Sequence, residues 1–182
     1  MKRDMKKDLD PKLARKVALD FLAKTKDLYA RYELAGSLRR KAPVVHDIDF
    51  AVIPGREDVA AWREEVKKRV VKIGGTVISF GEVISNFIYK DIQVNLFICP
   101  GEDSWGTTLM WATGPKGHTI GMTIKARNIG LLINSTGIWT RDVPPRPIRA
   151  RTEKEVGHIL HWTYKPPEER GKAKKKKEQF VY

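Results

Sequence analysis

The sequence predicts an α+β fold, with a mixed sheet flanked by helices and a smaller α+β subdomain at the C-terminal end. Three observations support this fold class. Apolar residues recur at helical spacing in two early segments, short β-rich runs lie between and after them, and the composition changes after Pro100-Gly101. A chain of 182 residues is long enough for one packed domain or for two small subdomains that share an interface.

The first predicted helix covers residues 11–27. Asp10 is suited to cap it, and Pro11 fits its first turn because a proline there gives up no helical hydrogen bond. We expect its buried face to consist of Leu13, Val17, Ala18, Phe21 and Leu22. Residues 28–34 and 48–53 are short apolar runs, which predict strands.

A second helix is predicted over residues 57–72 and ends before Gly74-Gly75. The residues that lie near one face of this helix, which we expect to point inward, are Val59, Trp62, Val66, Arg69 and Val70. Three β-rich runs follow, at residues 76–80, 83–89 and 92–99, with Lys90-Asp91 at the tip of a hairpin.

The C-terminal part is predicted to be a smaller mixed unit. It comprises helices over residues 104–113 and 116–128, a hairpin of residues 131–134 and 138–141, a proline-rich connector at 144–147 and a helix at 152–161. The chain therefore divides into an N-terminal helix (1–29), a larger α+β unit (30–103), a smaller unit (104–170) and a basic tail (171–182) that we expect to stay mobile.

The charge of the chain favours polyanionic partners. Lys and Arg number 35 against 22 Asp and Glu, a net charge of +13, although a solubilising surface would have the same composition. The single cysteine, Cys99, excludes an internal disulfide, and no apolar run approaches the ~20 residues of a membrane helix. We expect an intracellular monomer without a membrane partner, cytoplasmic or virus-associated, with a nuclear location left open.

Two acidic residues at the start of a strand form a candidate metal site. Asp47 and Asp49 are two positions apart, so their side chains point to one face, while Ile48 and Phe50 point into apolar packing. Neighbouring carboxylates repel each other unless a cation lies between them, and Mg²⁺ is the hard ion that such oxygens prefer. The alternative is a pair of exposed acids at a strand end.

A turn rich in phosphate donors precedes these acids. Gly36 permits close approach of the backbone, Ser37 offers an N–H and a hydroxyl, and Arg40 offers a bidentate guanidinium. An ordinary turn with solvated basic residues is the alternative. Together with the paired acids, this pattern predicts a nucleotidyltransferase site for a nucleoside triphosphate.

Three ordered motifs resemble family X DNA polymerases, which are typified by DNA polymerase beta. They are AGSLRRKAPVVHDIDFAVIP (35–54), WATGP (111–115) and TEKEVGHILHWTYKPPEER (152–170). The resemblance implies a nucleotidyltransferase palm at about 30–103 and a thumb-like unit at about 104–170, without the family's amino-terminal domains. It also implies two-metal phosphoryl transfer to a primer 3′-hydroxyl on gapped or primed DNA, with a role in DNA repair.

The resemblance further implies the site residues. Two Mg²⁺ ions, or Mn²⁺ as a substitute, would be held by Asp47, Asp49 and residue 95. Gly36, Ser37, Arg40 and the His46 N–H would bind the triphosphate. The nucleotide pocket would comprise Trp111, Ala112, Thr113, Gly114 and Thr119, and the DNA contacts Lys116, Thr123, Lys125 and Arg127, with the lysines of residues 172–177 as further candidates. Trp111 could instead pack in the core.

The main departure from the family is Asn95, where an aspartate is expected. An amide binds Mg²⁺ more weakly and cannot accept the primer's proton, and loss of a general base costs ~10²–10⁴ in rate. Three explanations of Asn95 are open. It is an introduced change, or the chain is a natural enzyme of low activity, or the chain is a non-catalytic nucleic-acid binder. A nucleotidyltransferase that acts without a template or on RNA is a further alternative.

Overall fold

The computed structural model describes residues 8–171; the first seven residues and the predicted lysine-rich tail at 172–182 lie outside the described part. The larger, N-terminal part contains three helices and five strands within this range. In chain order they are α1 (Pro11–Thr25), β1 (Tyr29–Leu34), α2 (Gly36–Arg39), β2 (Ile48–Pro54), α3 (Val59–Lys72), β3 (Thr76–Phe80), β4 (Ile84–Tyr89) and β5 (Ile92–Ile98).

The five strands form one mixed sheet in the order β1-β2-β5-β4-β3. Only β2 and β5 pair in parallel, and the other neighbours are antiparallel. A parallel pair requires a long crossover, which here includes α3 and the β3–β4 hairpin. The register of this pair sets Asp49 beside Asn95. The predicted α+β class with a mixed sheet is confirmed.

Helices α1 and α3 pack against this sheet. Asp10 caps α1 by accepting hydrogen bonds from two backbone N–H groups, as predicted. The buried side chains of α1 are Ala14, Val17, Ala18, Phe21 and Thr25. The prediction was wrong for Leu13, which is 52% exposed, because the buried stripe is centred one position further along and Ala14 takes the inward place.

The smaller, C-terminal part begins after a 3₁₀ turn at Glu102–Ser104. Its elements are α4 (Trp105–Thr113), α5 (Lys116–Asn128), β6 (Leu131–Asn134), β7 (Gly137–Thr140), β8 (Pro147–Ile148) and α6 (Glu153–Ile159). The three strands form a separate antiparallel sheet in the order β6-β7-β8. No helix among residues 8–171 is long and apolar enough to span a bilayer.

Helix α4 joins the two parts because it is buried on nearly all sides. On one side, Trp105, Leu109 and Ala112 share a core with Ala51 and Ile53 of β2. On the other, Met110 packs with residues of α5, α6 and the small sheet. Burial on several faces holds α4 in one position between the two parts, and the end of α4 therefore has a defined place relative to β2.

Candidate active site

A cavity of about 600 Å³ lies where β2 and α2 face the junction of α4 and α5, and its size is that of a typical ligand site. The residues that line it are Gly36, Ser37, Arg40, His46, Asp47, Asp49, Phe97, Trp111, Ala112, Thr113, Gly114, Pro115, Lys116, Thr119, Ile120 and Thr123. The predicted triphosphate and nucleotide-pocket residues are thus brought together with both acids. Of the predicted DNA contacts, Lys116 and Thr123 also line this cavity.

Gly36 lies directly against the Asp49 carboxylate. Its φ is +59°, and a Cβ added there would come within 1.9 Å of Asp49 Oδ2. The neighbouring N–H of Ala35 donates to the backbone oxygen of Asp49 at 2.7 Å, which fixes α2 beside β2. Only glycine fits this position, both because a side chain would clash and because the left-handed backbone disfavours other residues.

Asn95 lies beside Asp49 and beneath the cavity rather than in its lining. The parallel register pairs the two residues, and Asn95 Nδ2 donates to Asp49 Oδ1 at 2.8 Å. Gln93 Nε2 in turn donates to Asn95 Oδ1 at 2.7 Å. Asn95 is only 7% exposed. The amide N–H of Asn95 therefore satisfies an oxygen of Asp49 that a second carboxylate at this place would repel.

The donor set fits one hard cation better than two. Asp47 and Asp49 both open onto the cavity, so they could share an ion with phosphate oxygens of a bound nucleotide. Among residues 8–171, no cluster of three or more His, Cys, Asp and Glu side chains is placed to hold a metal. A second ion would need the oxygen of Asn95, which already accepts from Gln93.

Arg40 places a positive charge between the acids and the α4–α5 turn. Its Nη1 donates to the backbone oxygen of Thr113 and lies beside Gly114, which forms a cis peptide bond with Pro115. Burial lowers the pKa of the Arg40 guanidinium, and the nearby Asp49 carboxylate opposes that shift. A half-buried, charged guanidinium next to a carboxylate pair is suited to contact an anion that enters the cavity.

Ser37 and His46 occupy two further sides of the same cavity. The Ser37 hydroxyl is buried and has no hydrogen-bond partner among residues 8–171, which is the state expected of a group that donates to a ligand. The His46 ring is about half exposed, and its Nδ1 lies 3.3 Å from Asp8 Oδ1. The imidazole of His46 is therefore directed in part toward Asp8, which is consistent with assigning its backbone N–H, and not its ring, to the triphosphate.

Helix α5 presents short hydroxyls to the cavity. Thr119 Oγ1 donates to the Pro115 oxygen at 3.3 Å and Thr123 Oγ1 donates to the Thr119 oxygen at 3.1 Å. Both hydroxyls are bonded back to the helix, so only their acceptor lone pairs remain for a ligand. Lys125 is exposed on α5 and does not line this cavity, and Arg127 lines a neighbouring one.

A buried ionic network that the sequence reasoning missed lies behind the cavity. Arg39 donates to both carboxylate oxygens of Glu153 at 2.8 and 2.9 Å, and also to Thr113 Oγ1 at 2.8 Å. Arg170 donates to the same carboxylate at 2.9 Å, and Glu33 accepts from Arg39 at 3.0 Å. The only signal was that all of these residues except Glu33 fall within the three motifs, and those motifs do not indicate that the residues meet.

The network holds Glu153 ionised. Burial would raise the pKa of this carboxyl, but the hydrogen bonds and charges of Arg39 and Arg170 outweigh it and lower the pKa below its ordinary value. The network links α2 to α6 and to the last described turn. It therefore fixes the smaller part of the molecule against the larger one on the side of the cavity.

A stacked pair of rings supports the start of α5. His118 and Trp162 have ring centroids 4.7 Å apart and nearly parallel planes. Burial and then the repulsion of the Arg170 guanidinium lower the pKa of His118 to about 4. The imidazole is therefore neutral at physiological pH, and in this state it packs against the indole of Trp162.

Comparison with known families relates the C-terminal part to polymerases. The family model of the DNA polymerase beta thumb matches residues 108–171. This range runs from within α4 to the end of the described chain. No curated protein sequence matches the chain. Residues 108–171 are thus similar to a family X polymerase thumb, and the chain is polymerase-related on that basis.

Proposed function

We propose that this chain acts as a family X DNA polymerase, in which residues 30–103 form the palm and residues 104–170 the thumb. It would add nucleotides to a primer 3′-hydroxyl on gapped or primed DNA. One observation carries the proposal: the cavity joins Gly36, Asp47 and Asp49 to the first residues of the thumb-like segment. A triphosphate and its sugar would then contact both parts at once.

Asp47 and Asp49 are the residues that would hold Mg²⁺ or Mn²⁺. Bound divalent ions would neutralise the triphosphate and lower the pKa of the attacking hydroxyl. We propose two ions. The ion shared with the nucleotide would be held more firmly than the other, because its site needs only the two acids and phosphate oxygens. Asn95 would hold the other weakly, after its amide turns its oxygen toward Asp49.

The triphosphate would bind against the backbone of Gly36 and the N–H of His46. The unpartnered Ser37 hydroxyl would donate to one of its oxygens, and Arg40 would offset its negative charge. Trp111, Ala112, Thr113, Gly114 and Thr119 would surround the sugar and base. DNA would contact Lys116, Thr123, Lys125 and Arg127, and the net charge of +13 favours such a partner.

Slow turnover follows from Asn95. The amide donates to Asp49 and has no basic site, so it cannot take the proton of the primer hydroxyl. We expect the chain to bind nucleotide and DNA but to catalyse ~10²–10⁴ times more slowly than a form with a carboxylate there. The same observation favours a second candidate function, that of a non-catalytic nucleic-acid binder. Gap filling would accord with a function in DNA repair. The proposal also has the chain act inside the cell and as a monomer.

Single-nucleotide incorporation on DNA with a one-nucleotide gap tests this proposal. The given chain and Asn95→Asp are compared, with Asp91→Asn as a matched acid-to-amide control at the hairpin tip. We expect Mg²⁺-dependent addition of the complementary nucleotide, increased ~10²–10⁴-fold by Asn95→Asp and lost when Asp49→Asn is added. DNA binding without incorporation by either form would favour the binder, and addition regardless of the template base would favour a template-independent transferase.

A further inference from the structure

A second cavity of about 620 Å³ lies on the smaller sheet, next to the candidate active site. Its lining is Thr123, Arg127, Leu131, Leu132, Ile133, Asn134, Thr136, Trp139, Arg141 and Pro145. We call this the thumb groove. Its lining combines aliphatic side chains and one indole with two arginines. None of the roles assigned above accounts for that combination, apart from the proposed DNA contact of Arg127.

The indole of Trp139 is the aromatic component of the thumb groove. Trp139 lies on β7, where it pairs with Leu132 of β6 and Pro147 of β8. Its ring is partly exposed, and the Gly137 backbone lies against one edge because a Cβ there would come within 3.2 Å of the ring. No other aromatic ring among residues 8–171 stacks on it.

Two exposed arginines line the thumb groove. Arg127 and Arg141 are both exposed, and neither forms an ion pair with a carboxylate within residues 8–171. Arg146 is by contrast paired with Asp142 at 2.6 Å. The groove therefore combines an apolar and aromatic lining with two arginines that pair with no carboxylate of residues 8–171, and it favours a ligand that is both flat and anionic.

The thumb groove continues the candidate active site along α5. Thr123 lines both cavities. Ile120 and Ile124 are 49% and 54% exposed on the same helix, so the connecting surface is also apolar. From Thr119 to Arg127 the helix advances eight residues, or about 12 Å. That distance corresponds to roughly three to four stacked nucleotides of one strand.

We infer that the thumb groove binds an unpaired nucleotide of the template strand, about three to four positions beyond the templating base. Its base stacks on Trp139, and the adjoining phosphates contact Arg127 and Arg141. Bases within a duplex are already stacked on each other, whereas an unpaired base has a free face for an aromatic side chain. The inference rests on the proposed function, because it takes the strand in the groove to be the one that passes through the active site.

The length of an unpaired 5′ overhang provides the test. Fluorescence anisotropy would measure the affinity for DNA hairpins with a recessed 3′ end and overhangs of one to eight nucleotides. We expect an increase of about 5- to 140-fold once the overhang exceeds three to four nucleotides, the range for stacking one base. Trp139→Ala should abolish that increase and Trp139→Phe retain most of it. Arg127→Gln and Arg141→Gln should reduce it, and Arg15→Gln on α1 serves as the matched charge control.

Several results would overturn the inference. They are an affinity independent of overhang length, an increase that survives Trp139→Ala, and a DNA-free self-association that Trp139→Ala removes, which would assign the groove to a second copy of the chain. If the Trp139→Ala variant does not fold, the Trp139→Leu variant tests the same loss of the aromatic ring while keeping more apolar volume. Binding is measured without turnover, so the two proposals can fail separately. If affinity depends on overhang length but Asn95→Asp incorporates no nucleotide, the polymerase proposal is rejected and the nucleotide-binding role of the thumb groove is kept. If Asn95→Asp incorporates nucleotides but affinity does not depend on overhang length, only the inferred role of the thumb groove is rejected.

Discussion

Replacing Glu153 by Gln tests whether the buried network holds the two parts of the molecule together. The Glu153 side chain is 6% exposed, and its guanidinium partners Arg39 and Arg170 are 17% and 0% exposed. The variant keeps the volume of the side chain but removes its charge. The buried Arg170 and the partly buried Arg39 then remain, and within residues 8–171 only Arg39 retains another carboxylate, the 43% exposed Glu33.

The expected cost follows from that geometry. Removing one partner of a buried ion pair destabilises a protein by about 3–5 kcal/mol. For a chain of this size each kcal/mol lowers Tm by about 2–4 °C, so we expect Glu153→Gln to lower Tm by about 6–20 °C. Glu102→Gln is the matched control. Glu102 pairs with Arg31 but is 55% exposed, and pairs of that kind contribute about 0–1 kcal/mol.

Thermal unfolding followed by circular dichroism and calorimetry would measure the difference between the two variants. A loss for Glu153→Gln no larger than that for Glu102→Gln would refute the reasoning. The pH dependence provides a second check. Because the folded pKa of Glu153 lies below its ordinary value of 4.5, its contribution is complete above that value and is lost as the pH falls through the folded pKa. The Glu153→Gln variant should lack this loss in acid.

Three further predictions concern the cavity and its support. Gly36→Ala should reduce incorporation by the Asn95→Asp form at least about 100-fold, because the added Cβ displaces the Asp49 carboxylate; activity within threefold of the parent, with the fold intact by circular dichroism, would contradict this. Since Ala112 is small and lines the cavity, the same form should discriminate weakly between ribo- and deoxyribonucleotides. A ratio of kcat/KM above about a thousandfold, roughly 4 kcal/mol, would argue against that. For His118, whose folded pKa of about 4 lies below its ordinary 6.5, protonation favours the unfolded chain, so stability should fall as the pH drops from about 6.5 to about 4. His118→Phe should flatten this part of a plot of urea midpoint against pH, and an unchanged slope would show that another group is responsible.

Local features of the fold could be predicted because they depend on neighbouring residues. The cap at Asp10 and the hairpin tip at Lys90-Asp91, where both residues have positive φ, follow from short-range hydrogen bonding and backbone preference. The exposure of Leu13 shows the limit, since periodicity identifies the buried stripe of a helix only to within about one position.

Pairing of distant segments could be predicted only in part. The alternation along β2 indicated that both acids share a face, and the resemblance to family X polymerases implied that residue 95 joins them. Their contact at 2.8 Å depends on the parallel register of β2 with β5, which the crossover between them sets. The sequence thus named Asp47, Asp49 and Asn95 as candidates, and the register determined that Asn95 donates to Asp49 rather than lining the cavity.

By itself, the sequence determined the order of the helices and strands, the basic charge and the identity of the candidate site residues. The tertiary structure alone decided that Arg39 meets Glu153 across 114 positions, and that Trp139, Arg127 and Arg141 line one groove with Thr123. The physical reason is one of range. Capping, turns and periodicity act over a few residues, whereas an ion pair or a groove exists only after packing has brought distant segments together, and no local pattern encodes which segments those are.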